Sequence, residues 1–362
     1  MSFDDLFEIK EDLWTYLART EKNIVMYGTG NGADKIIDVF ENKGIELYGI
    51  FASDDFARGQ NFRGYTVKKY SDFAKELDDF IVVVSFASQR DEVLENIYKI
   101  ASERELYAPD VPVFGEGLFD LKFFNQNINK LRYVYSKLAD DMSRKTFIST
   151  IAFKLTGKIS FLKECETIDD EINILISNLI KNKNYIDVGA YTGDTVEKYT
   201  DLFGNEMTIY AIEPDAKNYK KMLERFSQKG ISCRSFNVAG WDKTETLKFY
   251  ARSGRASTVD NTAGSIKFKE IPGQKLDDII NDGIGFIKID AEGADSKVID
   301  GLFETIKTNL PCMKIAAYHR NEDYFSIPLT VDKINSDYRL YMRHLKYVPG
   351  WDTDFIFAFS KD

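Results

Sequence analysis

The apolar residues of this chain gather in short unbroken runs separated by stretches of helical spacing. Asn23–Tyr27 is apolar without alternation and ends at Gly28-Thr29-Gly30-Asn31-Gly32-Ala33, with a helical pattern through Phe40. A strand covered on both faces reads as a continuous apolar run. Strand, glycine turn and helix open a doubly wound unit. A second strand, residues 47–51, ends at Ser53-Asp54-Asp55. A third, residues 80–86, leads into another helix. With an amphipathic helix over residues 1–20, these segments predict a small Rossmann-like α/β domain spanning residues 1–115.

Residues 116–165 carry no strand signal, and helical spacing dominates over 118–138 and 141–155. They predict a helical connector, packed on one of the domains. A second α/β unit, residues 166–362, starts with a helix near 172–180. Strands follow at Tyr185–Val188, 208–212, 233–238, Phe286–Ile289, 313–317 and 355–359, with a strand pair at 246–250 and 265–270. Strands separated by helices predict mostly parallel pairing with right-handed crossovers. The fold class is α/β, with two Rossmann-like doubly wound domains.

The informative segment is Tyr185-Ile186-Asp187-Val188-Gly189-Ala190-Tyr191-Thr192-Gly193-Asp194-Thr195. Glycines in such a turn let backbone approach a ligand without a Cβ clash. It is not the dinucleotide fingerprint, because Tyr191 stands where the second glycine belongs. Asp187 before the turn suits a ligand carrying ammonium and sulfonium charge better than one carrying phosphates. The next strand ends Glu213-Pro214-Asp215, an acid about 20 residues past the turn and placed for ribose hydroxyls. The third ends Ala239-Gly240-Trp241-Asp242, where small residues form an adenine slot and Asp242 reaches the exocyclic amine. Three successive strand ends thus each supply part of a site for an adenosyl ligand.

The stretches YIDVGAYTGDT, YAIEPD, FIKIDAEGADSKVIDG and IAAYHR, with the lead-in LADDMSRKTFISTIAFKLTG, resemble the FkbM family of S-adenosylmethionine-dependent methyltransferases over residues 136–362. The resemblance implies a class I methyltransferase fold with a seven-stranded, mostly parallel sheet. It implies S-adenosylmethionine as cofactor and methyl transfer to hydroxyl oxygens of sugars, glycan precursors or other small molecules. The cofactor residues expected are Asp187, Gly189, Ala190, Tyr191, Gly193, Glu213, Pro214, Ala239, Asp242 and Asp290.

A hydroxyl acceptor gains from a base or from a metal that acidifies it. Asp290 and Glu292 follow the fourth strand and His319 the fifth, at carboxyl ends that border the crevice. His319 is the expected base, with Asp290 placing the acceptor; the three could instead hold a divalent ion. Blander readings stand beside these. Gly189 and Gly193 could simply make a tight turn, Glu213 could cap a helix, and Asp290 and Glu292 could cap the helix starting near Ala294. His319 could be a satisfied surface histidine, and His344 a structural or acceptor-side one. Trp241 and Trp351 are more often packing residues.

In the N-terminal domain Gly28, Gly30 and Ala33 match G-x-G-x-x-A, with Asp54 or Asp55 at the second strand's end. Arg58-Gly59 and Gly64-Tyr65-Thr66-Val67 resemble the small Rossmann-type domain of sugar acyltransferases over residues 22–110, which implies nucleotide-sugar binding. Three roles compete: a nucleotide-sugar or glycan site, a structural or oligomerisation module, and an NAD(P) site. Three functions accordingly compete for the chain: an O-methyltransferase, a binding or scaffold protein that kept the fold, and a bifunctional protein.

Composition removes other classes. The net charge of −10 disfavours a nucleic-acid partner, which needs a basic footprint. The longest apolar run is far short of the ~20 residues of a membrane helix, and the acidic N-terminus is not a signal peptide. Three scattered cysteines show no metal or disulfide spacing, which fits a reducing cytoplasm. Self-association is compatible with all of this.

Overall fold

The computed structural model describes residues 2–53, 56–250 and 268–359. The N-terminal sheet contains β1 (Asn23–Tyr27), β2 (Gly49–Ala52), β3 (Asn61–Phe62), β4 (Tyr65–Lys69), β5 (Phe80–Val84) and β6 (Glu105–Tyr107). Its order is β3-β4-β2-β1-β5-β6, parallel except for the β3–β4 hairpin. Every residue of β5 is buried, as a strand covered on both faces requires. The edge strands β3 and β6 give no signal in the sequence, because a run of two or three residues carries no period; β4, between β3 and β2, gives none because only Val67 of its five residues is buried.

The C-terminal part holds β7 (Tyr185–Val188), β8 (Ile209–Ile212) and β9 (Arg234–Phe236), then β10 (Ala239–Trp241), β11 (Glu245–Tyr250) and β12 (Phe268–Lys275). It ends with β13 (Phe286–Ile289), β14 (Cys312–Ala316), β15 (Arg339–His344) and β16 (Thr353–Ala358). The main sheet has seven strands in the order β15-β16-β14-β13-β7-β8-β9. All pairings are parallel except the two made by β16, which is antiparallel to both neighbours. β10, β12 and β11 form a separate small sheet. The expected pair at 246–250 and 265–270 is present as antiparallel β11 and β12, with β12 continuing to Lys275; residues 265–267 lie outside the described residues. β15 falls in the Tyr-Arg-rich stretch that gave no strand signal. Its long polar side chains hide an alternation in which Leu340 and Met342 reach the core.

The expected single helix over residues 1–20 is two pieces, a 3-10 turn at Phe3–Glu8 and a helix at Leu13–Arg19. Asp12 divides them: its Oδ1 accepts the Thr15 N–H at 2.9 Å as an N-cap, and its Oδ2 accepts the Leu121 N–H at 3.2 Å.

The connector comprises helices Leu121–Lys137, Asp141–Thr156 and Ile159–Glu164. It packs on both domains rather than one. Every residue from Thr146 to Leu155 is buried, the signature of a helix enclosed on all sides. Phe147, Ile148, Ile151 and Leu155 join the core of the seven-stranded sheet, while Phe153 joins the core of the N-terminal sheet. Lys154, 5% exposed, forms a 2.6 Å ion pair with Asp110, 7% exposed, in the segment after β6. Its ammonium also lies 5.2 Å from the ring centre of Tyr324 and 5.6 Å from that of Phe119. No helix among the described residues is long and apolar enough to cross a membrane, and the three cysteines are free.

A buried pair is most costly when only one partner is removed. Lys154→Met is therefore expected to lower unfolding stability by roughly 3–5 kcal/mol by stranding Asp110. The double variant with Asp110→Asn is expected to recover most of that loss in urea titrations. Equal losses in single and double variants would show that the pair does not couple the domains.

Candidate functional site

The carboxyl ends of both parallel sheets open onto one cavity of about 530 Å³. From the N-terminal sheet come Thr29, Asn31 and Gly32 after β1, and Ser85, Phe86 and Ala87 after β5. These two strands flank the point where the sheet's strand order reverses, the usual ligand position in an open α/β sheet. From the C-terminal sheet come Gly189 and Tyr191 after β7, Glu213 to Asp215 after β8, and Asp290 to Glu292 after β13.

The glycine turns follow from close backbone approach. Gly189 has φ +78°, and a Cβ there would lie 1.9 Å from the carbonyl oxygen of Asp290. The equivalent contact in the other domain is at Gly32, where a Cβ would lie 2.2 Å from the Ser85 carbonyl oxygen. In each sheet the first turn is pressed against the end of the neighbouring strand, and this draws the loops together at the cavity floor. Gly193 begins helix Asp194–Phe203 away from the cavity, and a Cβ there would meet the Phe226 ring at 2.6 Å. Ala190 is buried in the core beneath that helix. These two serve the turn and do not line the cavity.

Asp187 does not line it either. It is fully buried beneath the cavity floor, 3.3 Å from the Lys288 ammonium. Lys288 donates to the Gly189 carbonyl at 3.0 Å and stands 3.7 Å from Asp290. The expectation that Asp187 faces a bound cation is thus corrected: the partner of its charge is a lysine of the neighbouring strand, in register with it. Burial raises the Asp187 pKa, opposed by Lys288. Lys288, quoted within the motif FIKID, was not read as a site residue; its strand alternation sends it toward the core, where a lysine needs partners.

Glu213 takes the expected place. It is 5% exposed, lines the cavity and accepts two backbone N–H groups, Tyr191 at 2.8 Å and Asp215 at 2.8 Å. Burial pushes its carboxyl up to about 7, against the pull of those two N–H groups. It is not the helix cap. Asp215 caps helix Ala216–Lys229, accepting from Lys217 and Asn218. Asn237, unnoticed in the sequence, donates to the carbonyls of Glu213 and Pro214 at 2.8 and 3.1 Å and fixes this corner. Ala239 and Gly240 form a small-residue wall as expected, but Asp242 does not join them. It forms a 2.6 Å ion pair with Lys297 and does not line the cavity.

Asp290 and Glu292 face the cavity and cap no helix. The first turn beyond them is organised by Asp295, which accepts the N–H groups of Ala291 at 2.8 Å and Gly293 at 3.2 Å. His319 is neither a surface residue nor a cavity-lining base. It is 0% exposed, behind the two carboxylates, with Nε2 3.2 Å from Asp290 Oδ1 and 3.6 Å from Glu292 Oε2, and Nδ1 3.1 Å from Asp295 Oδ2. Burial disfavours its charge, but Asp295, Asp290 and Glu292 outweigh burial and hold its pKa well above the usual value. The ring does not line the cavity, and Asp290 and Glu292 stand between it and the space an acceptor would occupy. Burial, with Asp290 and Asp295 close by, lifts Glu292 to about 8. Asp290 is held below the usual range, since Lys288 and His319 overcome its burial.

His344 is structural: it is buried in β15, 2.9 Å from the Thr353 hydroxyl, and burial lowers it to about 4. Trp241 bonds Glu245 away from the cavity. Trp351 lines it, stacked 6.3 Å from Tyr318 and tilted against Tyr347 at 5.9 Å. Gly28 and Gly30 shape the N-terminal turn without lining the cavity, which their neighbours do. Asp54 and Asp55 lie outside the described residues.

No curated protein matches the sequence. Among solved structures, the methyltransferase FkbM from Methylobacillus flagellatus KT superposes with a TM-score of 0.71 at 18% identity, covering 99% of this chain and 94% of that one. The fold is therefore shared from end to end, N-terminal sheet included. A putative methyltransferase from Streptococcus mutans, solved in complex with SAH, matches with a TM-score of 0.36 at 11% identity, over 52% of this chain and 96% of that one. Residues 187–349, which include the turns after β7, β8 and β13 that line the cavity, match the family model of the methyltransferase FkbM domain.

Proposed function

We propose that this protein is an S-adenosylmethionine-dependent methyltransferase acting on a hydroxyl of a sugar, glycan precursor or similar small molecule. The observation that carries the reading is the convergence of Glu213, the Ala239–Gly240 wall and the Asp290–Glu292 pair on one cavity at neighbouring strand ends. The seven-strand order with one inserted antiparallel strand is that expected of a class I methyltransferase.

The residues fit the cofactor in detail. Glu213 keeps lone pairs beyond its two backbone contacts for a pair of ribose hydroxyls. Ala239 and Gly240 leave room for a flat base, and the turn at Gly189 and Tyr191 borders the space beside Asp290. When bound, S-adenosylmethionine supplies an electrophilic methyl on a positively charged sulfur. An acceptor hydroxyl held beside Asp290 and Glu292 would take that methyl, with the electron pair of the broken carbon–sulfur bond staying on sulfur. The hydroxyl proton leaves to the Asp290–Glu292 pair or through it to water. The chain's main contribution is alignment of the two reactants.

The acceptor belongs on the side facing the N-terminal sheet. There the Tyr318, Tyr347 and Trp351 rings offer flat apolar faces, and Thr29, Asn31 and Ser85 offer neutral hydrogen-bonding groups. Aromatic faces with neutral polar neighbours suit a sugar ring. Charge bears on the choice between sugars. The cavity wall carries six carboxylates, Asp194, Glu213, Asp215, Asp290, Glu292 and Asp352, against two ammonium groups, Lys35 and Lys288. Both lysines already donate to backbone carbonyls. This balance favours an uncharged acceptor over a nucleotide sugar with its diphosphate. It also gives a scaffold reading little support, because buried carboxylates facing a cavity are a cost that binding partners elsewhere would not repay.

Two measurements test this. Replacing Glu213 by Gln is expected to weaken S-adenosylhomocysteine binding at least tenfold in calorimetry. It should also change the pH dependence of the ligand-free protein. The Glu213 carboxyl lies near 7 when folded and near 4.5 when unfolded, so its burial costs nothing below the lower value and most above the higher. The cost is roughly 3 kcal/mol. The melting temperature of Glu213→Gln relative to wild type should therefore be more favourable at pH 8 than at pH 5. Undiminished affinity would remove Glu213 from the cofactor site. Trp351→Ala is expected to raise the acceptor KM about tenfold while cofactor affinity holds; an unchanged KM would move the acceptor elsewhere.

A further inference from the structure

The His319 ring separates two groups of carboxylates. Asp295, buried, faces its Nδ1, with buried Asp323 in the same cluster; Asp290 and Glu292, both at the cavity wall, stand on its Nε2 side. The rear group is committed. Asp295 faces Nδ1 at 3.1 Å and accepts two backbone N–H groups, and Asp323 accepts the Arg320 N–H at 2.7 Å. The front is different. Nε2 is buried and makes no hydrogen bond, although Asp290 Oδ1 is at 3.2 Å and Glu292 Oε2 at 3.6 Å.

An imidazole whose rear nitrogen is fixed by a carboxylate, and whose front nitrogen points unbonded at two more, is arranged as a metal-ligating histidine with its outer partner. The spacing agrees. Two atoms each about 2.1 Å from one ion stand about 3.0 Å apart at a right angle and about 3.5 Å apart at a tetrahedral one. A ligand set of two carboxylates and one imidazole suits an ion that accepts both oxygen and nitrogen and keeps open positions. The excess of negative charge around the ring points the same way.

We propose that Asp290, Glu292 and His319 bind one divalent cation of the Mn²⁺ type, open to the cavity, with Asp295 as the positioning residue behind His319. The role of the ion rests on the methyl-transfer reading; its binding does not. Held there, it would polarise the acceptor oxygen, whose proton then leaves to water.

The test uses the full chain, stripped with a chelator and titrated with Mn²⁺ while the free-ion paramagnetic resonance signal is followed. One ion per chain is expected, with a nitrogen modulation in the spin-echo spectrum from a coordinated imidazole. His319→Gln should abolish the modulation and weaken binding at least tenfold. Asp290→Asn, at the cavity wall and outside the core, should weaken binding similarly even if the buried variant fails to fold. Asp295→Asn should weaken it about 10- to 100-fold. No uptake at millimolar Mn²⁺, or uptake without nitrogen modulation and indifferent to Asp290→Asn, overturns the site. Calorimetry with S-adenosylhomocysteine on the same samples keeps the two ideas apart. A chain that takes Mn²⁺ but not the nucleoside retains the ion site and loses the methyltransferase reading. One that takes the nucleoside but not Mn²⁺ does the reverse.

Discussion

The cavity depends on a lysine buried between two carboxylates. Lys288 lies in register with Asp187 on the adjacent strand, 3.3 Å away, and reaches the Gly189 carbonyl and the Asp290 carboxylate. A buried charge is tolerable only when paired. Without this ammonium, Asp187 and Asp290 would sit close together under the glycine turn with nothing to offset their repulsion. With it, the ends of β7 and β13 are tied at one height, and Gly189 is held against the Asp290 carbonyl. Glu213, bonded to the Tyr191 N–H, is then aimed from β8 into the same space. The placement of the cavity carboxylates follows from this one contact. Removing Lys288 would be a severe change for the same reason that removing one member of any buried pair is severe.

This explains which parts of the site were legible in the sequence. The strands β1, β7 and β13 match their expected bounds, because a fully covered parallel strand writes itself as an uninterrupted apolar run ended by glycine or acid. Glu213 was legible because a strand end fixes both its position and its direction. Asp187 was not. It stands inside the strand, so its side chain follows the strand's alternation into the interior, and the residue that meets it is about 100 positions away in the chain. Asp242 failed similarly: its spacing was right, but Lys297 claims it. His319 was read as a base or as a metal ligand, and the sequence could not choose, since only the fold reveals three carboxylates around one ring. β15 was missed because its outward residues are long and polar on a strand whose inner face alone is apolar.

The sequence also held the joint between the domains without showing its meaning. TFISTIAFKL reads as an ordinary helix with mixed polarity. In the fold it is enclosed on every side, and Thr150 returns its hydroxyl to the helix backbone at the Thr146 carbonyl, 2.8 Å away. One charged residue is tolerated there because Asp110 meets it across the interface. A helix that contributes to both cores makes the two sheets one body and fixes the separation of their carboxyl ends.

That separation bears on chemistry as much as on stability. In the proposed reading, donor contacts come from the seven-stranded sheet, while part of the acceptor wall comes from the other. In-line transfer requires the reacting atoms to be aligned closely, and a displacement of about 1 Å can cost about 100-fold in rate. If the reactants are held by different sheets, their alignment is set by whatever holds the sheets together. The buried helix Asp141–Thr156 and the Lys154–Asp110 pair are then part of the positioning apparatus, although neither touches the cavity. On this argument a loosened interface should reduce turnover before it unfolds the chain, and cofactor affinity, which depends on one sheet alone, should be the last property lost.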